Sequence, residues 1–276
     1  DIFMNYCKLI KKIALGVSLL TISTAFVSCS KSSSEGTLKK DTLIVGMDDA
    51  FAPMGFKDEN GEITGFDVDL AKELGKRLNK EIIFQPIDWT MKESELKAGN
   101  IDFIWNGYTI TDERKNKVDF SVPYLKNKQV IVTLSNSNIN SKSDLYNKKV
   151  GAQSESSAIT AMEKEEDLYN SFTGGSAITF EDNNQALMDL EAGRIDAVVA
   201  DEILVRYYIS LKGEDKFKIL SDNFGEEEYG VGIRKGDTEM ERNHIRTYRG
   251  FMVEIDARVN DETMDRYGIK MQSLVA

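Results

Sequence analysis

The sequence predicts an α/β protein of two similar lobes, and three observations support this. A seven-residue phrase occurs twice, at residues 96–102 (Leu-Lys-Ala-Gly-Asn-Ile-Asp) and at residues 190–196 (Leu-Glu-Ala-Gly-Arg-Ile-Asp). Each copy is typical of a last helical turn stopped by glycine. Each copy then runs into an apolar stretch typical of a buried strand. The alternative is that the phrase is merely a common connector between a helix and a strand.

Residues 41–128 are predicted to form the first part of one lobe. An apolar stripe of Phe66, Leu70, Leu74 and Leu78 indicates an amphipathic helix. The other predicted elements of this part are strands at 42–46, 82–84 and 101–105 and a helix that ends at Ala98, after a turn that holds Trp89.

Residues 129–224 are predicted to form the second lobe, and residues 225–276 to return to the first. The predicted elements are strands at 130–134, 149–152, 177–180 and 229–233, helices at 157–165, 184–192 and 202–210, and a helical region from residue 238. The chain therefore crosses between the lobes twice. Two crossings make a two-strand hinge, which permits closure around a ligand.

Residues 1–28 read as a signal peptide. Lys8, Lys11 and Lys12 precede an apolar stretch at 13–27, and a run of serines and lysine follows. The segment from Phe26 to Cys29 resembles a bacterial lipobox, in which the cysteine is lipidated. Residues 29–40 would then form a lipidated flexible tether. The alternative is an unlipidated signal peptide with an incidental cysteine.

Composition narrows the classes of function. The chain has 276 residues, 41% of them hydrophobic and 29% charged, which is ordinary for a globular protein. Its formal net charge of −11 argues against nucleic acid and against an anionic membrane surface as partners. The sequence contains no metal cluster, nucleophile–base pair or phosphate loop, so we expect no cofactor and no bound metal.

Arg114 is the first candidate for ligand binding. It follows a small-residue strand end at Gly107 and lies in the first turn of a predicted helix that Thr111 would cap. A cation is mildly unfavourable there, but the planar guanidinium matches a carboxylate bidentately. The alternative is a surface arginine paired with Asp112 or another neighbour.

Asp201 is the second candidate, at the end of the strand that follows the second phrase. A carboxylate there could face a cation across the cleft, and with Arg114 it would recognise both ends of an amino acid. The alternative is that Asp201 simply caps the following helix.

The ordered set of motifs resembles the polar amino-acid family of bacterial ABC-transporter substrate-binding lipoproteins, solute-binding protein family 3. The resemblance covers roughly residues 42–234. The motifs that carry it lie at 48–56, 65–70, 109–114, 119–124, 153–157 and 196–201.

The resemblance implies a periplasmic-binding-protein (Venus flytrap) fold, in which each lobe is a sheet flanked by helices. It also implies roles for particular residues. Arg114, Gly107 and Thr109 would hold the ligand carboxylate, and Asp201 the α-ammonium. The resemblance further implies Gln153, Ser156 and Ser157 at a second helix start, Phe51 and Trp89 stacked on the ligand side chain, and Asp48 at its polar end. Trp89 could instead be plain core.

Two features depart from the family pattern. Glu155 stands where glycine is usual, which brings a negative charge near the carboxylate site and removes a residue that tolerates positive φ. The region after Glu241, which holds the only histidine, His244, lacks the usual closing helix.

The expected function is extracytoplasmic capture of a free amino acid, with a polar or cationic side chain favoured, and its delivery to an ABC permease. We expect a monomer, attached to the cell membrane only through a lipid on Cys29, with no enzymatic activity. The alternatives are an enzyme on the same fold, such as a dehydratase of an amino-acid precursor, and a receptor or adhesin lipoprotein without a transport role. Asp48, Glu155 and Glu202 are the candidate acids for the enzyme.

Overall fold

The computed structural model describes residues 36–237 and Tyr267. The strands in this part are β1 Thr42–Met47, β2 Ala50–Phe51, β3 Gly55–Lys57, β4 Ile63–Thr64, β5 Glu81–Pro86, β6 Phe103–Ile104, β7 Asp119–Phe120, β8 Leu125–Leu134, β9 Val150–Gln153, β10 Ile178–Phe180, β11 Ala197–Asp201, β12 Phe217–Tyr229 and β13 Gly232–Ile233. The α-helices are α1 Phe66–Leu78, α2 Lys92–Ala98, α3 Asp112–Lys117, α4 Ser157–Glu163, α5 Glu166–Ser171, α6 Asn183–Glu191 and α7 Glu202–Lys212. The predicted signal peptide, Cys29 and His244 lie outside the described residues, as does the predicted C-terminal helical region apart from Tyr267.

Two five-stranded mixed sheets organise the described part of the chain. The first sheet has the strand order β5-β1-β6-β13-β7, and the second has the order β10-β9-β11-β8-β12. In the first sheet β1 pairs in parallel with β5 and β6, and in the second β9 pairs in parallel with β10 and β11. A small three-stranded sheet, β2-β3-β4, follows β1. The predicted α/β fold with two lobes is confirmed.

The chain passes from the first sheet to the second through β8 and returns through β12. These two strands pair antiparallel from Leu125 opposite Tyr229 to Leu134 opposite Phe217. The predicted lobe boundaries at 128/129 and 224/225 therefore fall inside this pair of crossing strands. Most of β12 was not predicted, because two register shifts between Ile219 and Glu226 interrupt its alternation of buried and exposed side chains.

The two copies of the repeated phrase have the same structure. Their glycines, Gly99 and Gly193, have φ angles of 83° and 69°, and each follows the end of a helix, α2 or α6. The aspartate that ends each copy accepts a backbone N–H at the start of the neighbouring parallel strand. Asp102 Oδ2 accepts from Ile44 N at 3.0 Å, and Asp196 Oδ2 accepts from Lys149 N at 2.8 Å. The phrase therefore joins a helix to a buried strand and fixes the strand beside it.

The two aspartates differ in burial, and this difference gives a test. Asp102 is fully buried and also accepts from the Lys40 ammonium at 2.6 Å, whereas Asp196 is exposed. We expect Asp102→Ala to lower the free energy of unfolding by about 1–3 kcal/mol, because it removes a buried carboxylate that accepts from the partly buried Ile44 N–H and from Lys40. Asp196→Ala, at the equivalent position, should cost under about 1 kcal/mol. Urea denaturation of both variants measures this, and equal losses would contradict the explanation.

The last residues of the predicted tether pack on the first sheet. Residues 37–39 form a 3-10 turn in which Thr37 is fully buried. The Thr37 N–H and hydroxyl donate to Asp237 at 2.9 and 2.5 Å, and the Arg234 guanidinium donates to the Thr37 hydroxyl at 3.1 Å. The segment predicted as a flexible tether at 29–40 therefore ends in a fixed turn.

The predicted helix at 157–165 is interrupted. Helix α4 ends at Glu163, and a second helix, α5, begins at Glu166. Glu165 has φ −102° and ψ 65°, outside the helical region, so the chain changes direction there. Leu168 and Phe172 then pack with Met162 in the core of the second lobe.

Candidate functional site

The candidate site lies where the two lobes meet the crossing strands. Strands β6 and β11, which follow the two copies of the phrase, end there, and helices α3 and α4 begin there. Ligands of α/β sheets bind at the carboxyl ends of the strands. The side chains that converge on this point are polar, although most of them are buried.

Arg114 lies in this site with only 7% of its surface exposed. The Thr111 hydroxyl caps α3 by accepting from Arg114 N at 3.1 Å, as expected. The guanidinium stacks on the Tyr108 ring at 4.6 Å and donates to the carbonyl oxygens of Thr109 (3.0 Å) and Glu155 (3.2 Å). Among the described residues no carboxylate forms an ion pair with it, and Asp112 pairs with Lys115 instead. Arg114 is therefore not a surface arginine.

Asp201 is nearly as buried, with 5% of its surface exposed. Its side chain does not cap α7. It accepts hydrogen bonds from Asn127 Nδ2 (3.0 Å), Gln129 Nε2 (2.9 Å) and the Tyr229 hydroxyl. Burial, followed by the negative charge of Glu227, raises the pKa of Asp201 above its usual range. The carboxylate faces the site, and its role as a cap is excluded.

Glu227 is the centre of a hydrogen-bond cluster beside Asp201. Its Oε1 accepts from the Thr109 hydroxyl at 2.9 Å, Asn127 Nδ2 at 2.7 Å and Gln129 Nε2 at 2.8 Å. The Ser157 hydroxyl lies 3.4 Å from the same oxygen and 3.1 Å from the Thr109 hydroxyl. Two predicted site residues, Thr109 and Ser157, thus meet across the cleft.

Gly107, expected to help hold the ligand carboxylate, uses its N–H within the protein. The N–H donates to Asp67 Oδ2 at 2.7 Å. Its carbonyl oxygen is the backbone group that remains for a ligand. A carbonyl oxygen can accept a hydrogen bond from an ammonium, but it cannot bind an ionised carboxylate, which has no donor. Asp67 also accepts from the Tyr124 hydroxyl at 2.9 Å, and burial raises the pKa of Asp67 to about 7.

Gly107 also has a conformation that only glycine adopts without strain. Its φ is 57°, and a Cβ there would lie 2.6 Å from Cε1 of the Phe51 ring. We expect Gly107→Ala to lower the free energy of unfolding by about 2–4 kcal/mol, from backbone strain together with overpacking. Gly61→Ala is the matched control, because Gly61 has φ 80° with nothing within 4 Å. Thermal denaturation compares the two, and equal losses would show that Phe51 does not crowd this position.

A hydrogen bond between Asp48 and Gln153 joins the two lobes. Asp48 Oδ2 accepts from Gln153 Nε2 at 2.7 Å, and burial raises the pKa of Asp48 to about 6. Gln153 Oε1 accepts from Asn183 at 3.0 Å, which orients the amide. Phe51 is buried beside Gly107.

Trp89 and Lys92 form the wall of the site next to Arg114. Trp89 is mostly buried in the core of the first lobe, with its ring edge-on to Tyr108 at 5.9 Å between centroids. Lys92 is 1% exposed, and its ammonium donates to the carbonyl oxygens of Trp89 (3.0 Å) and Glu155 (3.2 Å). Burial, with the nearby charge of Arg114, lowers the pKa of Lys92 to about 8.

Ser156 and Glu155 precede helix α4. Ser156 is the N-cap residue, and its buried hydroxyl has no hydrogen-bond partner within the described residues. Glu155 has φ 55°, the left-handed conformation for which glycine is favoured, and its side chain is exposed. Its carbonyl oxygen accepts hydrogen bonds from two cations of the first lobe, Arg114 and Lys92.

Sequence reasoning did not identify Asn127, Gln129, Glu227 or Lys92 as site residues. Asn127 and Gln129 lie two residues apart on β8, and Glu227 and Tyr229 lie two residues apart on β12, so each pair shares one face of its strand. Glu227 pairs opposite Asn127, which brings the two faces together. The polar alternation at 127 and 129 was the available signal, but the register of β12 was needed to use it.

The described residues contain no group of three or more histidine, cysteine, aspartate or glutamate side chains placed to hold a metal ion. Within the same residues, no helix has both the length and the apolar composition needed to cross a membrane.

Comparison with known proteins places these features in a family. The family model for bacterial extracellular solute-binding proteins, family 3, matches residues 43–247. The L-cystine-binding protein TcyJ of Escherichia coli is 32% identical over 243 residues, which are 86% of this chain and 88% of that protein.

Solved structures agree with the family match. The substrate-binding protein of an ABC uptake transporter from Streptococcus pneumoniae, with bound histidine, is 34% identical and has a TM-score of 0.78, over 84% of this chain and 94% of that chain. An ancestral arginine-binding protein bound to arginine is 35% identical with a TM-score of 0.73, over 83% of this chain and 98% of that chain. An ancestral amino acid-binding protein described as a precursor of cyclohexadienyl dehydratase is 33% identical with a TM-score of 0.72, over 83% of this chain and 96% of that chain. The chain belongs to the bacterial extracellular solute-binding proteins, family 3.

Proposed function

We propose that this protein captures a free amino acid between its two lobes and delivers it to an ABC permease. The observation that carries the proposal is the pairing of a buried guanidinium on the first lobe, Arg114, with a buried carboxylate on the second, Asp201. Arg114 forms no ion pair with any described residue. Opposite charges held in this way match the carboxylate and the ammonium of an amino acid.

Within this site, the ligand carboxylate would bind Arg114 and the Thr109 and Ser156 region. The ammonium would bind Asp201, the Thr109 hydroxyl and the carbonyl oxygen of Gly107. Ser157 and Gln153 close the site from the second lobe.

The proposed ligand has a polar or cationic side chain. The relatives reported above bind cystine, histidine or arginine, three side chains with polar or charged ends. Three carboxylates line the site, those of Asp48, Asp201 and Glu227, against the two cations of Arg114 and Lys92. This excess of negative charge favours a cationic ligand. Phe51 and Trp89 would pack along the ligand side chain, with Asp48 at its end.

The proposed mechanism is a shift between open and closed lobes. Gln153 with Asp48 joins the lobes at 2.7 Å, Asn184 Nδ2 donates to the Ala50 carbonyl oxygen at 3.2 Å, and the rings of Phe56 and Tyr207 lie 5.9 Å apart. A ligand stabilises the closed form only through contacts that it makes to both lobes at once.

We propose that the protein lies on the outer side of the cell membrane and is attached to it through a lipid on Cys29. Residues 1–28 would be the signal peptide that is removed, and the protein would act as a monomer. Bacterial extracellular solute-binding proteins are the family of the chain, and the motif from Phe26 to Cys29 supports the lipid anchor.

We also propose that the protein performs no covalent chemistry, although one structural neighbour is described as a precursor of a dehydratase. Of the three candidate acids from the sequence, Glu155 is exposed, and Glu202 forms ion pairs with Lys128 (3.4 Å) and Arg206 (2.6 Å). Asp48 faces the site, where its partner is the amide of Gln153.

A thermal-shift panel of free amino acids, cystine and amino-acid precursors tests the proposal. A ligand at 100 times its dissociation constant stabilises the folded state by about 2.7 kcal/mol, which raises the melting temperature by several degrees. We expect this shift with at least one polar or cationic amino acid, which chromatography then recovers unchanged. Turnover of a precursor would support the enzyme, and silence across the panel would support the receptor or adhesin.

A further inference from the structure

Glu227 is a second carboxylate in the site. Asp201 alone could bind the α-ammonium of a ligand, so the presence of Glu227 needs an explanation. It lies on crossing strand β12, opposite Asn127 on β8. Its Oε1 receives hydrogen bonds from Thr109 on the first lobe, and Ser157 on the second lobe lies 3.4 Å away. The crossing strand therefore places one carboxylate oxygen between the two lobes.

Asp201 and Glu227 share their hydrogen-bond donors. The Asn127 amide nitrogen donates to Glu227 at 2.7 Å and to Asp201 at 3.0 Å, and the Gln129 amide nitrogen donates to them at 2.8 and 2.9 Å. Each amide nitrogen carries two hydrogens, enough for one bond to each carboxylate, and Gln129 Nε2 also lies 3.1 Å from the Ser157 hydroxyl. The two amides therefore hold the two carboxylates side by side at fixed positions.

Neither carboxylate forms an ion pair with any residue that the structure describes. The positive charge of Arg114 acts on Asp201, but its guanidinium donates to carbonyl oxygens. Two like charges in a buried site are costly unless a cation lies between or beside them. The arrangement therefore calls for a cation that can reach both groups.

We propose that Asp201 and Glu227 together bind the ammonium group of the ligand, and that the site selects ligands whose ammonium presents N–H donors to both carboxylates. This inference rests on the proposed function and narrows its ligand to amines that keep at least two N–H bonds when protonated. An ammonium with one remaining N–H serves only one carboxylate, so double substitution on the amino nitrogen should be rejected. Glu227 is then a specificity-determining residue on the crossing strand.

The test is isothermal titration calorimetry at pH 8 with L-arginine, L-histidine and L-cystine. We expect Glu227→Gln to weaken binding of the tightest of the three by about 10- to 100-fold, because a charge-assisted hydrogen bond is lost. Glu228→Gln is the matched control, since Glu228 is the exposed neighbour on the same strand. Its affinity should equal that of the wild type.

A second arm uses the Nα,Nα-dimethyl derivative of the same amino acid. The wild type should bind it at least about 10-fold more weakly than the parent, and Glu227→Gln should discriminate less between the two ligands. The wild-type measurement needs no variant, so a folding defect cannot mask it.

Unchanged or tighter binding by Glu227→Gln would overturn the inference while leaving the proposed function in place. Equal wild-type affinity for parent and dimethyl derivative would overturn it as well. Absence of binding by the wild type to all three amino acids would instead count against the proposed function, and the inference would fall with it.

Discussion

Replacing Arg114 with alanine should weaken amino-acid binding by at least about 30-fold for every ligand side chain. Among the described residues, Arg114 is the guanidinium placed to bind the ligand carboxylate bidentately, and the variant removes it. The ligand carboxylate would then lie near the negative charges of Asp201 and Glu227 without the compensating guanidinium. Truncating one partner of a buried charge pair costs about 2–5 kcal/mol, which is roughly 30- to 5,000-fold in affinity. Arg114→Lys should give an intermediate loss, because the ammonium keeps the charge but not the planar fork. Calorimetry measures both affinities.

Arg206→Ala is the matched control for this prediction. Arg206 is exposed on α7, where its guanidinium pairs with Glu202 at 2.6 Å. An exposed pair of this kind contributes little, so ligand affinity and stability should stay near wild type. Wild-type affinity in Arg114→Ala would remove Arg114 from the carboxylate role.

Replacing Asp201 with asparagine should separate binding from stability. We expect affinity to fall by about 30-fold or more, because the charge that faces the ligand ammonium is lost. The effect of the variant on stability should depend on pH. Burial and Glu227 raise the pKa of Asp201, so its ionisation in the folded state lowers the free energy of unfolding as the pH rises above the usual aspartate range. The variant lacks that loss.

Denaturation of the ligand-free protein at pH 5 and pH 8 measures the stability arm. Wild type should lose more stability than Asp201→Asn between these values. The raised pKa values of Asp48 and Asp67 also make the protein less stable as the pH rises. The informative quantity is therefore the difference between wild type and Asp201→Asn. Asp167→Asn, on the exposed face of α5, is the control and should follow the wild type. Equal pH dependence in wild type and Asp201→Asn would contradict a buried ionised Asp201.

Most of the fold could be predicted from the sequence, because its signals are local. The apolar stripe of helix α1 and the glycines after α2 and α6 depend on neighbouring residues only. The failures occur at the crossing strands. β8 begins five residues before the apolar run at 130–134, and β12 has bulges that hide its period. Pairing between the two strands, rather than their own composition, holds these segments extended.

The candidate site could be predicted in part, for the same reason. Arg114 and Asp201 follow identifiable strand ends, so position along the chain was enough to select them. Glu227 and Gln129 come together only through the register of β8 and β12, which no local pattern reports. The bond from the Gly107 N–H to Asp67, forty residues earlier in the chain, has no local signal either.

The central claim is that one cleft recognises both ends of a free amino acid. The most direct measurement is calorimetry of the wild type with the tightest ligand of the panel, its methyl ester and its des-amino analogue. We predict one-to-one binding of the parent amino acid. Both analogues should bind at least about 100-fold more weakly, because each leaves one buried charge of the site without its partner. Binding of either analogue as tightly as the parent would contradict the account.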